Sequence, residues 1–125
     1  MERDRFRVSN KVWFFDDSEV LRLANHDEGW ELPGGHVEVS DDNVDIALRR
    51  EVREETSIAM VSYDLARLHK YEDQFAMFWT CQEWDGEVTL SGEHQDYAWV
   101  DVDGLDDIVV TWPGLRDLIR EWVQG

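Results

Sequence analysis

One cysteine, two prolines and two lysines in 125 residues narrow the choices before any motif is considered. Cys81 alone cannot close an intrachain disulfide, and no Cys cluster offers a zinc site, so nothing argues for a disulfide-stapled secreted scaffold. A reducing, cytoplasmic setting is the expectation. With only Pro33 and Pro113, and no low-complexity tract or internal repeat, no linker divides the chain, which reads as one domain over residues 1–125. The longest apolar run, residues 75–79, is far too short to span a bilayer. The opening MERDRFRVSN carries charge where a signal sequence has an apolar core.

Basic residues are the other shortage: 12 Lys+Arg face 29 Asp+Glu, a formal charge of −17. Such a chain repels nucleic-acid backbones and anionic membranes, which recruit proteins through basic groups that displace counterions. Neither partner is expected. Lys11 and Lys70 are the only lysines, whereas 16 aspartates are spread along the whole sequence. Self-repulsion of this size destabilises a compact state in dilute buffer, but at about 1 M salt the Debye length falls to roughly 3 Å. The composition resembles that of proteins from salt-accumulating halophiles. A core is still affordable: 42% of residues are hydrophobic, including seven Trp, five Phe and three Tyr.

Strand signals occupy residues 7–15 and 20–24, then 60–71, 74–83 and 97–102, with a shorter one at 87–90. A tight turn is expected at Pro33-Gly34-Gly35, and a hairpin at Trp84-Asp85-Gly86. Residues 43–56, NVDIALRREVREET, hold good helix formers with no Gly or Pro, preceded by acidic residues suited to capping. A terminal amphipathic helix is expected over 113–123, with Leu115, Leu118, Ile119, Trp122 and Val123 on one face. Strands mixed with two helices give an α+β class.

The first helix carries the chemistry. Advancing about 100° per residue puts Ala47, Leu48 and Val52 on one side, with Glu51, Glu54 and Glu55 within or beside that apolar arc. Arg49 and Arg53 take the opposite, solvated side, where Asp45 and Arg49 form an ordinary i,i+4 pair. Three inward carboxylates on neighbouring turns must be protonated, paired or bound to a cation. Arg50 reaches Glu54 and neighbours Glu51, yet one guanidinium cannot neutralise three acids. Hard divalent cations with oxygen ligands do so, and would bridge an acidic protein to a polyphosphate.

The segment Gly34 to Ile58 resembles a Nudix box, whose pattern runs G, five residues, E, seven residues, then REUxEExGU with U aliphatic. Arg50-Glu51-Val52-Arg53-Glu54-Glu55 matches its centre residue for residue, Ile58 matches its last aliphatic position, and Trp30 to Glu38 resembles its usual approach. Counting back seven from Arg50 puts Asp42 at the first acidic position, one residue further from Gly35 than the pattern asks, so the box, over about 35–58, carries one extra residue. Ser57 replaces the glycine, at a modest expected cost in stability.

The resemblance implies an α/β/α sandwich with a mixed sheet, the box helix and a C-terminal helix. It implies hydrolysis of a nucleoside diphosphate linked to another group, with Mg²⁺ or Mn²⁺. Carried over by position, Glu51, Glu54 and Glu55 would be metal ligands, Arg50 would orient Glu51, and Glu38 and the Gly34 or Gly35 carbonyl would be further contacts. The general base would be the box glutamate or a downstream acid, Glu93 before Asp96. Gly35-His36-Val37-Glu38, and Glu93-His94 followed by Tyr97 and Trp99, are similar to stretches of dinucleoside tetraphosphate hydrolases. Nucleoside triphosphates, dinucleoside polyphosphates, ADP-ribose and nucleotide sugars all share the diphosphate, and the sequence does not choose among them. Substrate-binding residues are not assigned, and the oligomeric state, monomer or homodimer, stays open.

Two other classes compete with an enzyme. A non-catalytic module of the same fold would bind a nucleotide derivative and regulate a partner, but does not need all three glutamates. A purely structural acidic domain would keep its inward carboxylates protonated or paired and gain nothing from cations. Trp79, Trp84, Trp99, Phe78 and Tyr71 sit where aromatics are more often core than base-stacking. His26, His69 and Cys81 lack partners at ligand or triad spacing and read as structural.

Overall fold

The computed structural model describes residues 5–16, 19–25, 29–90, 92 and 96–101. The expected helix at 113–123, and Glu93, lie outside them. Seven strands and one helix follow in the order β1 (Arg7–Asp16), β2 (Glu19–Asn25), β3 (Gly29–Glu31), β4 (Gly34–His36), α1 (Val44–Thr56), β5 (Ala59–Tyr71), β6 (Gln74–Asp85) and β7 (Asp96–Asp101). The sheet runs β3-β2-β1-β6-β5, with β4 added to β1 and β7 to β2. Since β1 and β6 are parallel while the other pairs are antiparallel, the sheet is mixed and the class is α+β.

One feature of β1 shapes the site. Its first half is flanked by β4, with Asn10 opposite Gly35 and Lys11 opposite Gly34, whereas its last two residues pair with β2. The strand thus changes partner along its length. Between the two, Val12 N–H donates to the Pro33 carbonyl at 3.0 Å, which satisfies the backbone where the neighbours part. Gly34 and Gly35, expected in a tight turn with Pro33, therefore belong to the short strand β4 held by β1.

Under the sheet the core gathers Val12 and Phe14 from β1, Leu21 and Leu23 from β2, Leu48 and Val52 from α1, Ile58 and Cys81. Truncating one of the larger of these to Ala costs about 2–5 kcal/mol. Trp84 stacks on Trp99 at 5.6 Å and meets Phe14 edge-on at 5.4 Å, so these aromatics serve packing, as expected. Burial pushes the Cys81 thiol up to about 11, which leaves it unreactive.

Helix α1 has defined ends. Asn43, in extended geometry, is the N-cap: its side-chain oxygen accepts from Ile46 N–H at 2.9 Å. Asp45 in the first turn and Arg53 in the last complement the helix dipole. Ser57 takes the left-handed conformation, φ 66°, and its N–H returns to the Arg53 carbonyl at 2.9 Å. Buried Asn10 moors the helix start, donating from Nδ2 to the Val44 carbonyl at 3.3 Å and accepting from Trp79 Nε1 at 2.9 Å.

Two local expectations are corrected. Residues 87–90 form no strand; they pack against the core through Val88 and Leu90, and Thr89 N–H donates to the Thr56 carbonyl at 2.8 Å. With no second strand there, the turn at Gly86 closes no hairpin among the described residues; the hairpin is β5–β6, turning at Glu72, φ 50°. Asp45 also accepts a short hydrogen bond from the Tyr63 hydroxyl.

Candidate active site

The buried face of α1 holds Ala47, Leu48, Glu51, Val52, Glu55 and Thr56, so two of the three glutamates face inward as the helical arc predicts. Glu54 does not: its side chain is 64% exposed. The difference is one of position on the arc: Glu51 and Glu55 meet Gly35 and Gly34 of β4, whereas Glu54, at the arc's edge, meets Arg50. Glu55 is fixed from the strand, accepting from Gly34 N–H at 2.9 Å.

Glu51 is the unusual group. It is 6% exposed, and neither carboxylate oxygen has a hydrogen-bond partner. Burial, reinforced by the Glu55 and Asp41 carboxylates and opposed by Arg50 and Lys11, pushes its pKa up to about 8. Gly35 faces it so closely that a side chain there would strike the carboxylate.

Arg50 organises the acids around it. Its Nε and Nη2 donate to the two oxygens of Asp41 at 3.1 and 3.0 Å, a fork-on-fork pair, and Nη1 reaches Glu54 at 3.4 Å. Nη2 also lies 3.6 Å from Glu51 and 3.9 Å from the exposed Glu38. The guanidinium holds the Asp41 carboxyl below its ordinary value, helped by the Glu38 N–H, which donates to Asp41 at 2.8 Å.

Asp41, not Asp42, is thus the acid that serves Arg50; Asp42 is exposed. Five residues separate Asp41 from Gly35, as the box pattern asks, so the extra residue lies between Asp41 and Arg50. Counting forward from Gly35 would have found it.

These donors fit a hard divalent cation. Glu51 presents two buried oxygens without hydrogen-bond partners beside Glu55, and Gly35, having no Cβ, lets that carboxyl group lie against β4. Among the described residues no three His, Cys, Asp or Glu side chains form a ready-made cage. Mg²⁺ in particular is commonly held by one or two carboxylates, with water and substrate phosphate oxygens completing its shell.

The family pattern of the Nudix domain matches residues 6–122. The chain belongs to the Nudix family. Its Nudix relatives include the rat asymmetrical bis(5'-nucleosyl)-tetraphosphatase, 30% identical over 98 residues, covering 70% of this chain and 64% of that protein. Nucleoside triphosphatase NudI of Klebsiella pneumoniae (strain 342) is 35% identical over 91 residues, covering 61% of this chain and 64% of that one. The chain therefore spans somewhat under two thirds of the length of these curated relatives. Among solved Nudix structures, the MutT protein of Methanosarcina mazei Go1 superimposes with a TM-score of 0.79 at 27% identity, covering 99% of this chain and 97% of that one.

Proposed function

We propose that the 125 residues act as one domain that hydrolyses a phosphoanhydride bond in a nucleoside diphosphate derivative, by attack of water on phosphorus, with Mg²⁺ or Mn²⁺. The observation that carries this reading is the Glu51 carboxylate, buried with both oxygens unsatisfied beside Glu55 and against Gly35. A fold gains nothing from two buried carboxyl oxygens without hydrogen-bond partners, but a cation-dependent enzyme does. The names of the rat and Klebsiella relatives, a tetraphosphatase and a triphosphatase, support the phosphoanhydride class.

Glu51 and Glu55 would hold the cation, with Glu54, Glu38 and the Gly35 carbonyl as outer or exchanging contacts. When bound, the cation neutralises phosphate charge and lowers the pKa of a water. Arg50 lies beside Glu51 and favours its ionised form against the burial that opposes it, while the Asp41 fork fixes Arg50. Glu51 is the candidate base within the described residues, and Glu93 the alternative beyond them. The substrate is a nucleoside triphosphate, a dinucleoside polyphosphate or a nucleotide sugar.

The test is product release from a panel of these compounds with Mg²⁺ and with Mn²⁺, in wild type and Glu51→Gln. Turnover lost in a folded Glu51→Gln supports the assignment; near wild-type turnover refutes it. A structural domain with Glu51 merely protonated would satisfy the burial equally, and it predicts no rise in melting temperature on adding the cation at constant ionic strength. Cation-dependent stabilisation without turnover would favour the binding module.

A further inference from the structure

Helix α1 carries a second stripe of side chains, of which the proposed hydrolysis uses only Arg50. Ile46, Arg49, Arg50 and Arg53 recur at i, i+3, i+4 and i+7, along one side of the helix. The left-handed turn at Ser57 brings the chain back beside that stripe, where Ile58, Ala59 and Met60 complete a groove of about 300 Å³. Its size is at the lower end of small-molecule sites, which occupy roughly 300–1,000 Å³.

The charge of the groove runs against that of the chain. Three of the 12 basic residues line it and, among the described residues, no carboxylate does, although 29 acids are spread over the sequence. The acids nearby are engaged elsewhere. Asp41, Glu38, Glu51 and Glu54 gather at Arg50, Asp45 accepts from the Tyr63 hydroxyl beside Arg49, and Asp85 is held opposite Ala59 in the β5–β6 register. Arg53 makes no ion pair with a described residue. Arg49 and Arg53 are four positions apart on an exposed helix face, where like charges repel. An anion lodged between them removes that repulsion and is stabilised by both.

The walls decide which anion fits. A guanidinium meets phosphate oxygens two at a time, and a phosphate monoester, with close to two charges and three acceptor oxygens, suits a pair of such forks better than one carboxylate does. Beside the arginines lies apolar surface: Ile58 is buried, Met60 half-buried and Ile46 43% exposed. Inorganic phosphate would leave that surface in water, whereas a phosphate carried on a planar or apolar group covers it. The site at Glu51 and Glu55 is itself anionic and takes phosphate only through a cation; arginines need none. We infer that this groove is a second binding site, which takes a phosphate ester of a planar or apolar group directly on Arg49 and Arg53, without a metal ion. The inference goes beyond the hydrolase reading and does not depend on it.

The test is binding with divalent cations removed. ¹⁵N-labelled protein in EDTA at about 0.5 M NaCl, where surface repulsion is largely screened, would be titrated with AMP, adenosine, inorganic phosphate and a hexaglutamate peptide. Amide shifts would be followed in wild type, in the double variant Arg49→Gln/Arg53→Gln and in Arg49→Lys/Arg53→Lys. AMP should shift the Arg53, Ala59 and Met60 amides and bind about tenfold tighter than adenosine or phosphate. The Gln variant, altered only at exposed positions, should stay folded and bind AMP at least about tenfold more weakly, and the Lys variant, which keeps charge without the fork, should recover part of the loss. Turnover of any compound the wild type hydrolyses should be unchanged in both variants; a fall would assign these arginines to the hydrolytic site instead. AMP shifts that appear only with Mg²⁺ and centre on Gly34 and Gly35, or equal affinity in the Gln variant, would overturn the inference. Phosphate bound as tightly as AMP would overturn its organic half, and a peptide bound more tightly than AMP would make the groove a protein-docking surface. Each of these binding outcomes leaves the hydrolase reading as it stands.

Discussion

Gly35 packs directly against the Glu51 carboxyl group: a Cβ added to Gly35 would lie 2.8 Å from Glu51 Cδ. The colliding group is the end of a flexible side chain, so Gly35→Ala can be accommodated, but only by moving the carboxylate. Gly34 differs. There a Cβ would meet the Asn10 backbone, at a φ of +147° that L-residues rarely adopt. Gly34→Ala should therefore cost about 3 kcal/mol or more, while Gly35→Ala costs little stability but lowers activity about 100-fold. Urea melts and turnover of the two variants check this, and the reverse ranking would contradict it.

Glu51 gives the metal-free protein a stability that declines as pH rises. Its folded pKa of about 8 exceeds the ordinary 4.5, so between those values the folded chain holds a proton that the unfolded chain has lost. The contribution is complete below about 4.5 and gone once pH passes about 8, an effect on the order of a few kcal/mol. Melting temperatures in EDTA from pH 5 to 9 should fall in wild type and fall less in Glu51→Gln. Mg²⁺ should restore more stability at pH 8 than at pH 6, because it binds the ionised carboxylate. Equal pH profiles for the two proteins would remove Glu51 as the cause.

Helix α1 was legible because a 3.6-residue period, an Asn cap and the absence of Gly or Pro all agree over its length. The inward turn of Glu51 and Glu55 followed from the same period. What the period could not supply was the difference between them and Glu54, which depends on contacts with β4 and with Arg50. Strands β3 and β4 are equally non-local: three residues each, they exist because β2 and β1 offer edges, not because of their own propensity. A groove at Phe6 unites residues 6–8 with 36–39, about 30 positions apart, only through the pairing of β1 with β4. Spacing alone does not say on which side of the first acid the extra residue falls; the fork between Arg50 and Asp41 places it after Asp41.

The fork between Arg50 and Asp41 predicts a sharp contrast between adjacent acids. Asp41→Asn replaces one acceptor oxygen with a donor and frees Arg50 from its anchor, which should lower kcat about 10–100-fold. Asp42→Asn, at an exposed position, should leave kcat near wild type. Arg50→Lys should behave like Asp41→Asn, because an ammonium cannot make two parallel bonds. Because the Asp41 pKa is depressed in the fold, its stabilisation is present above the ordinary value of 3.8 and is lost as pH falls below it. Steady-state kinetics on the three variants decide the matter; a silent Asp41→Asn would return the role to Asp42.

Ser57 occupies the left-handed position that ends α1, where a Cβ is unfavourable. Glycine there should stabilise the fold by about 0.5–1 kcal/mol, partly offset by loss of the exposed Ser57 hydroxyl bond to the Thr89 carbonyl at 3.3 Å. A rise in melting temperature of about 2–4 °C for Ser57→Gly is the expected result. A fall would mean that the Thr89 contact outweighs backbone strain.

Salt should stabilise this chain by relieving its own repulsion. The −17 charge is spread over the sequence, with few basic residues to meet it. Arg50 is already surrounded by four carboxylates, and Lys70 stands over the Phe6 ring. Raising salt from about 0.1 to 1 M shortens the Debye length from roughly 10 to 3 Å, so most of the gain in melting temperature should come within that range. Screening by simple ions predicts similar curves in NaCl and KCl that flatten above about 1 M, whereas exclusion of salt from the surface would give a rise that continues with concentration. Activity should follow the same curve at its lower end, since an enzyme that expands at low salt loses the alignment of Glu51 and Glu55. Full activity and an unchanged melting temperature in dilute buffer would show that the acidic surface is tolerated without salt, and would separate the composition from any saline setting.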